Sequence, residues 1–541
     1  HSGEFVAIVG ANGSGKTTLA RHLNALLLPT QGRVLVDGMD TQDHALWPKI
    51  RAQVAMVFQF PEDQIVATTV EDDVAFGPEN LGLPTEEITR RVRWALETVD
   101  MWELRQRPPH LLSAGQQQRV AIAGALAMRP RCLMLDEATA MLDPDGRREV
   151  MVLLRQLHRE GLTVILITHW MNEAALAQRV VALSEGQVAF DGPPRALFAD
   201  GVQLAALGLE PPPLAALAAG LARRRPGFPR DLLTLDELTD ALAPRLPQDG
   251  TPAEVPTEPA PHPETAPLVQ VEALQHTYLP HTPLAATALH GVSLQVYPGE
   301  VLALLGPTGS GKSTLLQHIA GLLPDPAGAV HIDAPASEAG RQTVGMLFQK
   351  PEQQLFETYV GDDVAFGPRQ LGLDRAAVRE RVRWAMETSD LPFETYKDRF
   401  TQSLSGGEKR KAALAGVLAL RPTLLLLDEP SAGLDPRARQ SLLDTLRRLN
   451  QEQGLTLILA THAMEDVAQL AARALVLDAG RVVAQGSPRQ LFAAPGGMAA
   501  FGLDVPAVTA LMHRLRARGA AVPADVLTVE EAVNVLDGAL L

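Results

Sequence analysis

Short apolar runs rich in branched residues recur along the chain at Phe5–Val9, Val164–Ile167, Val301–Leu305, Leu424–Leu427 and Leu457–Leu459. They do not alternate with polar positions, which is the pattern of strands buried on both faces of a parallel sheet. Longer stretches with helical periodicity lie between them, so the pattern predicts α/β domains. It is also written twice. SGEFVAIVGANGSGKTTL (Ser2–Leu19) returns as PGEVLALLGPTGSGKSTL (Pro298–Leu315), and RCLMLDEATAMLDP (Arg131–Pro144) returns as TLLLLDEPSAGLDP (Thr423–Pro436). TVILITH (Thr163–His169) returns as TLILATH (Thr456–His462). A chain of 541 residues exceeds a single core, and the duplication shows where to divide it.

The expected layout is a first α/β domain at 1–200, a small helical extension at 201–246, a linker at 247–267, a second domain at 268–494 and a second extension at 495–541. The extensions correspond through DLLTLDEL (Asp231–Leu238) and DVLTVEEA (Asp525–Ala532). In each, Thr234/Glu237 or Thr528/Glu531 has the spacing of a helix start at which Thr and Glu cap each other's backbone amides. Seven prolines fall within Pro247–Pro267. Such a segment favours extended polyproline geometry, with a reach of about 65 Å at about 3.1 Å per residue, enough for the halves to face each other. The second copy carries an additional segment ahead of Pro298, LVQVEALQHTYLPHTPLAATALHGVSLQVY, whereas the first starts at His1, so its natural N-terminus is expected to be missing.

A composition of 46% hydrophobic and 21% charged residues is ordinary for a globular protein. The net charge of −15 argues against a protein that coats nucleic acid. Cys132 is the only cysteine, which excludes an intrachain disulfide and suits a reducing compartment. No run of 18 apolar residues and no signal-peptide pattern is present, so any membrane crossing falls to another chain.

The chemistry lies in the repeated motifs. Gly10–Thr17 and Gly306–Ser313 fit a glycine-rich phosphate loop between a strand and a helix. Backbone amides and the helix N-terminus would cradle phosphate oxygens. The candidate nucleotide-binding residues are Asn12, Gly13, Ser14, Gly15, Lys16, Thr17 and Thr18, with Thr308, Gly309, Ser310, Gly311, Lys312, Ser313 and Thr314 in the second copy. Lys16 and Lys312 would reach the β- and γ-phosphates, while the Thr17 and Ser313 hydroxyls would meet Mg²⁺. Asp136 and Asp428 end buried strands and would hold Mg²⁺ through its water shell. Glu137 and Glu429 are candidate general bases for an attacking water. His169 and His462 follow the next strand and would contact the γ-phosphate; Gln59 and Gln349 would sense Mg²⁺ and water. Leu112-Ser-Ala-Gly-Gln116 and Leu404-Ser-Gly-Gly-Glu408 each open a helical run. Taken alone they are only capping sequences. Between the Gln and the Asp-Glu, in order and twice, they carry more information.

In that order the motifs resemble the ATP-binding cassette ATPases over nearly the whole chain. The resemblance implies two P-loop domains, each a RecA-like core with a helical subdomain, together with ATP and Mg²⁺. It further implies head-to-tail pairing in which each ATP is clamped between one phosphate loop and the other half's signature helix. Lys16 would work with Ser405 and Gly407, and Lys312 with Ser113 and Gly115; Asp143 and Asp435 occupy the family's Leu-Asp loop. Tyr278 resembles the aromatic that stacks on adenine. Two departures stand out: Ala114 where the family has Gly, and Glu408 where it has Gln, which adds negative charge near phosphate.

The stretch FQFPEDQIVATTVEDDVAFGPENLGL (Phe58–Leu83) recurs as FQKPEQQLFETYVGDDVAFGPRQLGL (Phe348–Leu373). It looks like the ATPase subunits of energy-coupling factor transporters, which import vitamins and transition-metal ions. The resemblance implies an integral membrane coupling subunit, a substrate-binding membrane subunit, and a peripheral place on the cytoplasmic face of the cell membrane. Asp72, Asp73, Asp362 and Asp363 would then attract arginines of the partner's coupling helices. The alternatives are the fused ATPase of another importer, a soluble tandem ATPase acting on ribosomes or DNA repair complexes, and a non-catalytic nucleotide-binding scaffold.

Overall fold

The computed structural model describes residues 1–140, 142–248, 266–282, 285–333, 344–350 and 353–540. The linker, but for its ends, lies outside them. The chain forms two compact units, 1–215 with 230–233, and 216–229 with 234–541.

In the first unit β1 (Phe5–Val9), β2 (Val54–Val57), β3 (Cys132–Asp136), β4 (Thr163–Ile167), β5 (Arg179–Ser184) and β6 (Gln187–Gly192) form one sheet in the order β2-β3-β4-β1-β5-β6. All neighbours are parallel except β5 and β6. Phe5, Leu133, Leu135 and Leu166 are fully buried, as their unbroken apolar runs require. Because β1 and β4 are adjacent, and β4 also borders β3, the carboxyl ends of all three open into one crevice. Ile8 pairs with Ile167, and Ile167 with Asp136. Ligands bind at such an edge in open α/β sheets. Helix α1 (Lys16–Leu23) follows β1, and α2 (Val70–Asn80), α3 (Thr85–Thr98) and α4 (Ala114–Ala127) pack together beside the sheet. Helix α5 (Pro144–Arg159) starts from Asp143, whose side chain accepts the Gly146 N–H.

The second unit opens with an antiparallel sheet of β7 (Val269–Tyr278), β8 (Ala286–Val296) and β10 (Val330–Ile332). Its main sheet repeats the first unit's order with β9 (Val301–Leu305), β11 (Val344–Leu347), β12 (Leu424–Asp428), β13 (Thr456–Ala460), β14 (Arg473–Asp478) and β15 (Arg481–Gly486), arranged β11-β12-β13-β9-β14-β15. Helices α8 (Lys312–Ile319), α9 (Val360–Gln370), α10 (Arg375–Thr388), α11 (Gly406–Leu418) and α12 (Pro436–Gln453) lie between these strands.

The extensions belong together. Residues from Ala216 onward in α6 (Pro213–Arg224), together with α7 (Leu235–Leu242), pack against α13 (Ala507–Ala517) and α14 (Val529–Ala539) within the second unit. Leu217, Leu221, Leu238, Leu242, Leu511, Leu515 and Leu536 are completely buried. Arg225 Nε lies 2.8 Å from Asp537 Oδ1, and Arg518 lies 2.5 Å from Asp240. Gly220 meets Val533 where an alanine Cβ would come within 2.6 Å of Cγ2. The Thr234/Glu237 capping box forms in full. At Thr528 only half of it forms: the Glu531 N–H reaches the Thr528 hydroxyl, but the Glu531 carboxylate turns to Arg489 and the Leu527 N–H. A nearby arginine outcompetes a neutral amide for that charge.

Candidate active site

Each phosphate loop is shaped by contacts that only glycine allows. A Cβ on Gly10 would sit 2.4 Å from the Leu183 carbonyl oxygen, and one on Gly306 would sit 2.2 Å from that of Leu477. Gly15 and Gly311 cap their helices in the left-handed region. Lys16 and Lys312 fold back over their own loops. Lys16 Nζ donates to the Gly10 and Ala11 carbonyls at 2.9 and 3.1 Å, and Lys312 Nζ to those of Gly306 and Pro307 at 2.6 and 3.0 Å. Ser14 Oγ and Ser310 Oγ are buried and have no hydrogen-bond partner among the described residues. Such orphans are costly unless a ligand supplies the missing bond. A phosphate seated over these amides would do so. Gly13, Thr308 and Gly309 in the loops and Thr18 in α1 are exposed, and Asn12 is half-buried.

Thr17 Oγ1 donates to Asp136 Oδ1 at 3.1 Å. Burial pushes the Asp136 carboxyl above its ordinary value, against the pull of the Thr17 hydroxyl. Asp428 is pushed up to about 6 by burial, opposed by the Ser313 hydroxyl and reinforced by Glu429. A hydroxyl beside a carboxylate is the hard-oxygen set that suits Mg²⁺. Next in sequence, Glu137 and Glu429 adopt φ of 53° and 47°, a region that residues other than glycine rarely occupy. Their N–H groups bridge to the adjacent strand at the Ile167 and Ala460 carbonyls. That twist brings each carboxylate to its histidine: His169 Nε2 lies 2.6 Å from Glu137 Oε1, and His462 Nδ1 lies 2.9 Å from Glu429 Oε1. Burial raises the Glu429 carboxyl, but His462 and Lys312 outweigh it and leave it below the ordinary range. Lysine, acid and histidine thus converge in each unit as their order along the chain suggested.

The glutamine segment is held from within its own repeated stretch and, in the second unit, by a buried arginine. Gln64 Oε1 accepts the Phe58 N–H and Gln354 Oε1 the Phe348 N–H, which closes the loops carrying Gln59 and Gln349. Arg410, buried on α11 (Gly406–Leu418), donates to the carbonyls of Glu429, Pro430, Ala432 and Gln349. Its counterpart is Gln118, whose buried Nε2 has no partner among the described residues. Neither stands out in the sequence, because Arg410 lies in the polar run Glu408–Lys411 and Gln118 in Gln116–Arg119.

Ser113 and Ser405 cap α4 and α11 through complete capping boxes with Gln116 and Glu408, and both serines face solvent beside Gly115 and Gly407. The Glu408 charge does not stand free over the helix end as expected. Its carboxylate accepts the Ser405 N–H at 2.8 Å and the Tyr396 hydroxyl at 2.8 Å, with Arg399 at 3.3 Å. Burial raises Glu408, but these bonds dominate and hold it below its ordinary value. The Ala114 side chain lies outside the described residues. Tyr278 is about 40% exposed, with its hydroxyl 3.0 Å from Thr314 Oγ1 and its ring edge-on to His276. His276 Nδ1 in turn lies 3.0 Å from His318 Nε2.

Asp73 and Asp363 are each tied into their own loop. Asp73 accepts the Val66 and Ala67 N–H groups, and the buried Asp363 accepts those of Phe356 and Glu357. Asp72 is exposed and bonded to Thr69, and Asp362 pairs with Arg369 on the same helix, α9 (Val360–Gln370). Near Asp362 a cavity of about 1010 Å³ is lined by Tyr359, Arg369, Lys397 and Phe400 among others. Among the described residues no helix is long and apolar enough to cross a membrane.

The comparisons agree with this geometry. The ABC transporter family model matches residues 1–140 and 289–432. A Methanosarcina mazei protein, provisionally named an ABC transporter ATP-binding protein, is 37% identical over 98% of this chain and 91% of its own length. An energy-coupling factor transporter ATP-binding protein of Symbiobacterium thermophilum is 62% identical over 44% of this chain and 84% of its own. A chain in the solved assembly of ribosome-bound archaeal Pelota and ABCE1 shares the fold at a TM-score of 0.59 and 20% identity, covering 93% of this chain and 77% of that one. With two phosphate loops, two Asp-Glu pairs and two signature helices in one polypeptide, the chain belongs to the ABC transporter family as a tandem ATP-hydrolysing cassette protein.

Proposed function

We propose that this chain is the ATPase of an energy-coupling factor transporter, hydrolysing ATP to drive import of a micronutrient, a vitamin or a transition-metal ion. The observation that carries the reading is the 62% identity to an ATP-binding protein of that transporter class over 242 residues. The two complete sets of loop lysine, Asp-Glu pair and histidine support a hydrolytic role at both sites. In this reading Lys16 and the loop amides hold one triphosphate and Lys312 the other. The exposed Ser405 and Ser113, with Gly407 and Gly115, close over them from the opposite half, each adding the positive end of a helix. Tyr278 supports one adenine. Thr17 with Asp136, and Ser313 with Asp428, would hold Mg²⁺, with Gln59 and Gln349 alongside; when bound, the ion neutralises charge on the phosphate oxygens. Glu137 and Glu429 exchange their histidines for a water, accept its proton and orient it on the γ-phosphate. His169 and His462 then contact the phosphate. Catalysis is positioning and charge stabilisation.

The chain would sit peripherally on the cytoplasmic face, bound to an integral membrane coupling subunit that works with a substrate-binding membrane subunit. The groove beside α9, with Phe356 and Phe366 exposed near it, offers apolar surface for a partner helix. The test is co-expression with candidate small integral membrane proteins, followed by reconstitution into vesicles. A stable complex with ATP-dependent uptake that is lost in Glu137→Gln with Glu429→Gln supports the reading. Full ATPase activity with capture of ribosomes and no membrane protein would overturn it.

A further inference from the structure

Outside the residues assigned above, each unit buries an acid at the same place, four residues beyond its histidine. Glu173 is 3% exposed and Asp466 is 0% exposed. Glu173 Oε2 accepts the Thr139 hydroxyl at 3.0 Å and the Thr168 hydroxyl at 2.6 Å, and Oε1 lies 3.7 Å from Arg147 Nε. Asp466 Oδ2 accepts the Ser431 hydroxyl at 2.5 Å, and Oδ1 accepts Arg439 Nε at 2.6 Å. The anchors correspond. Thr139 and Ser431 stand two residues past Glu137 and Glu429, and Arg147 and Arg439 stand four past Asp143 and Asp435. In the first unit Thr168 directly precedes His169. Glutamate and threonine in one unit, aspartate and serine in the other, make the same clasp. Burying a carboxylate is costly, and an apolar side chain would fill the space at less expense. Burial pushes the Glu173 carboxyl up, against the pull of Arg147 and the two hydroxyls. The segments carrying the hydrolytic glutamate and the histidine already meet through the His–Glu contacts and the glutamate N–H bonds. What the buried acid adds is a tie from both to the helix that follows the Leu-Asp loop.

We propose that Glu173 and Asp466 are positioning residues for ATP hydrolysis, each fastening the catalytic glutamate's segment, the Asp143 or Asp435 loop and the histidine's segment into one body. The inference rests on the hydrolytic roles proposed above. The test uses the full chain and steady-state ATP hydrolysis. Glu173→Ala combined with Asp466→Ala should lower kcat about tenfold to a hundredfold, the scale of an ångström-sized misplacement. KM for ATP should stay within about twofold, because the phosphate loops are untouched. Glu173→Gln, which keeps an oxygen between the two hydroxyls, should recover most of the loss in that half relative to Glu173→Ala. Should the double alanine chain fold poorly, Thr139→Val and Ser431→Ala cut the same clasp from its other side and should lower kcat in the same sense. Unchanged kcat in folded variants overturns the inference. So does a glutamine variant no better than alanine, with activity falling only in step with the melting temperature. Glu137→Gln with Glu429→Gln serves as the separate control: retained hydrolysis there would sink the assigned roles themselves.

Discussion

Replacing Gly220 by alanine probes how closely the two extensions are fitted together. The added methyl would lie 2.6 Å from Val533 Cγ2 and 3.7 Å from Cγ1. Carbon atoms pack favourably at about 3.5–4.0 Å, so Val533 or a helix must yield by about 1 Å. Overpacking of this kind costs about 1–3 kcal/mol, while alanine in place of glycine inside a helix returns about 1 kcal/mol. The net expectation is a loss of about 0–2 kcal/mol. Val533→Ala alone opens a cavity, but in the double variant the new methyl occupies that space. The pair should therefore be less destabilised than the sum of the singles by about 1–2 kcal/mol. A chain of two units does not unfold in one step, so the assay is native-state hydrogen exchange at amides of α6 and α14. Each kcal/mol lost should appear as about fivefold faster exchange. Slower exchange in Gly220→Ala, with strictly additive effects in the double variant, would refute the packing argument.

Other expectations follow from single contacts. Tyr396→Phe with Arg399→Ala should release the Glu408 charge and raise KM for ATP severalfold, while the same changes made with Glu408→Gln should have little effect; equal effects in both backgrounds would mean the contacts only stabilise the fold. Asp363→Ala strips an acceptor from two N–H groups and should destabilise its loop by about 2 kcal/mol, read by proteolysis near Phe356. Asp362→Arg breaks the surface pair with Arg369, so it should lower the melting temperature only slightly while weakening capture of the membrane partner. Burial, helped by His276 and opposed by Asp325, holds His318 below the ordinary histidine value. Its neutral form therefore supports the fold fully above about pH 6.5, and that support fades as pH falls below it. The melting temperature should drop between pH 7.5 and 5.5, and drop less in His318→Leu.

What could be read from the sequence was what is contiguous along the chain. The core strands announce themselves as unbroken apolar runs, and each phosphate loop is a single segment whose glycines are fixed by the next strand's carbonyl. Asp136-Glu137 and His169 are separated in sequence, yet each ends a strand that neighbours the other's, so the order of motifs sufficed to bring them together. The rest depended on distant contacts. Glu173 looks like any acid opening a helix until Thr139 and Arg147 arrive from elsewhere in the fold. Asp73 and Asp363 read as charges awaiting a partner's arginines because their backbone partners sit in an irregular loop. The direction of the Glu408 carboxylate hangs on Tyr396 and Arg399, which no motif includes. That the first extension packs on the second could not be read from either alone.

In the proposed function each ATP is gripped by one half's phosphate loop and the other half's signature helix. Cross-linking in a Cys132→Ser chain carrying Glu137→Gln and Glu429→Gln tests it directly. One cysteine pair replaces Asn12 and Ser403, the other Thr308 and Leu111. With Mg²⁺ and ATP, both pairs should be bridged by a short cross-linker within a single polypeptide, and neither without nucleotide. Bridging of Asn12 to Leu111 in a chain carrying that pair, or cross-links formed only between separate chains, would rule out this head-to-tail grip.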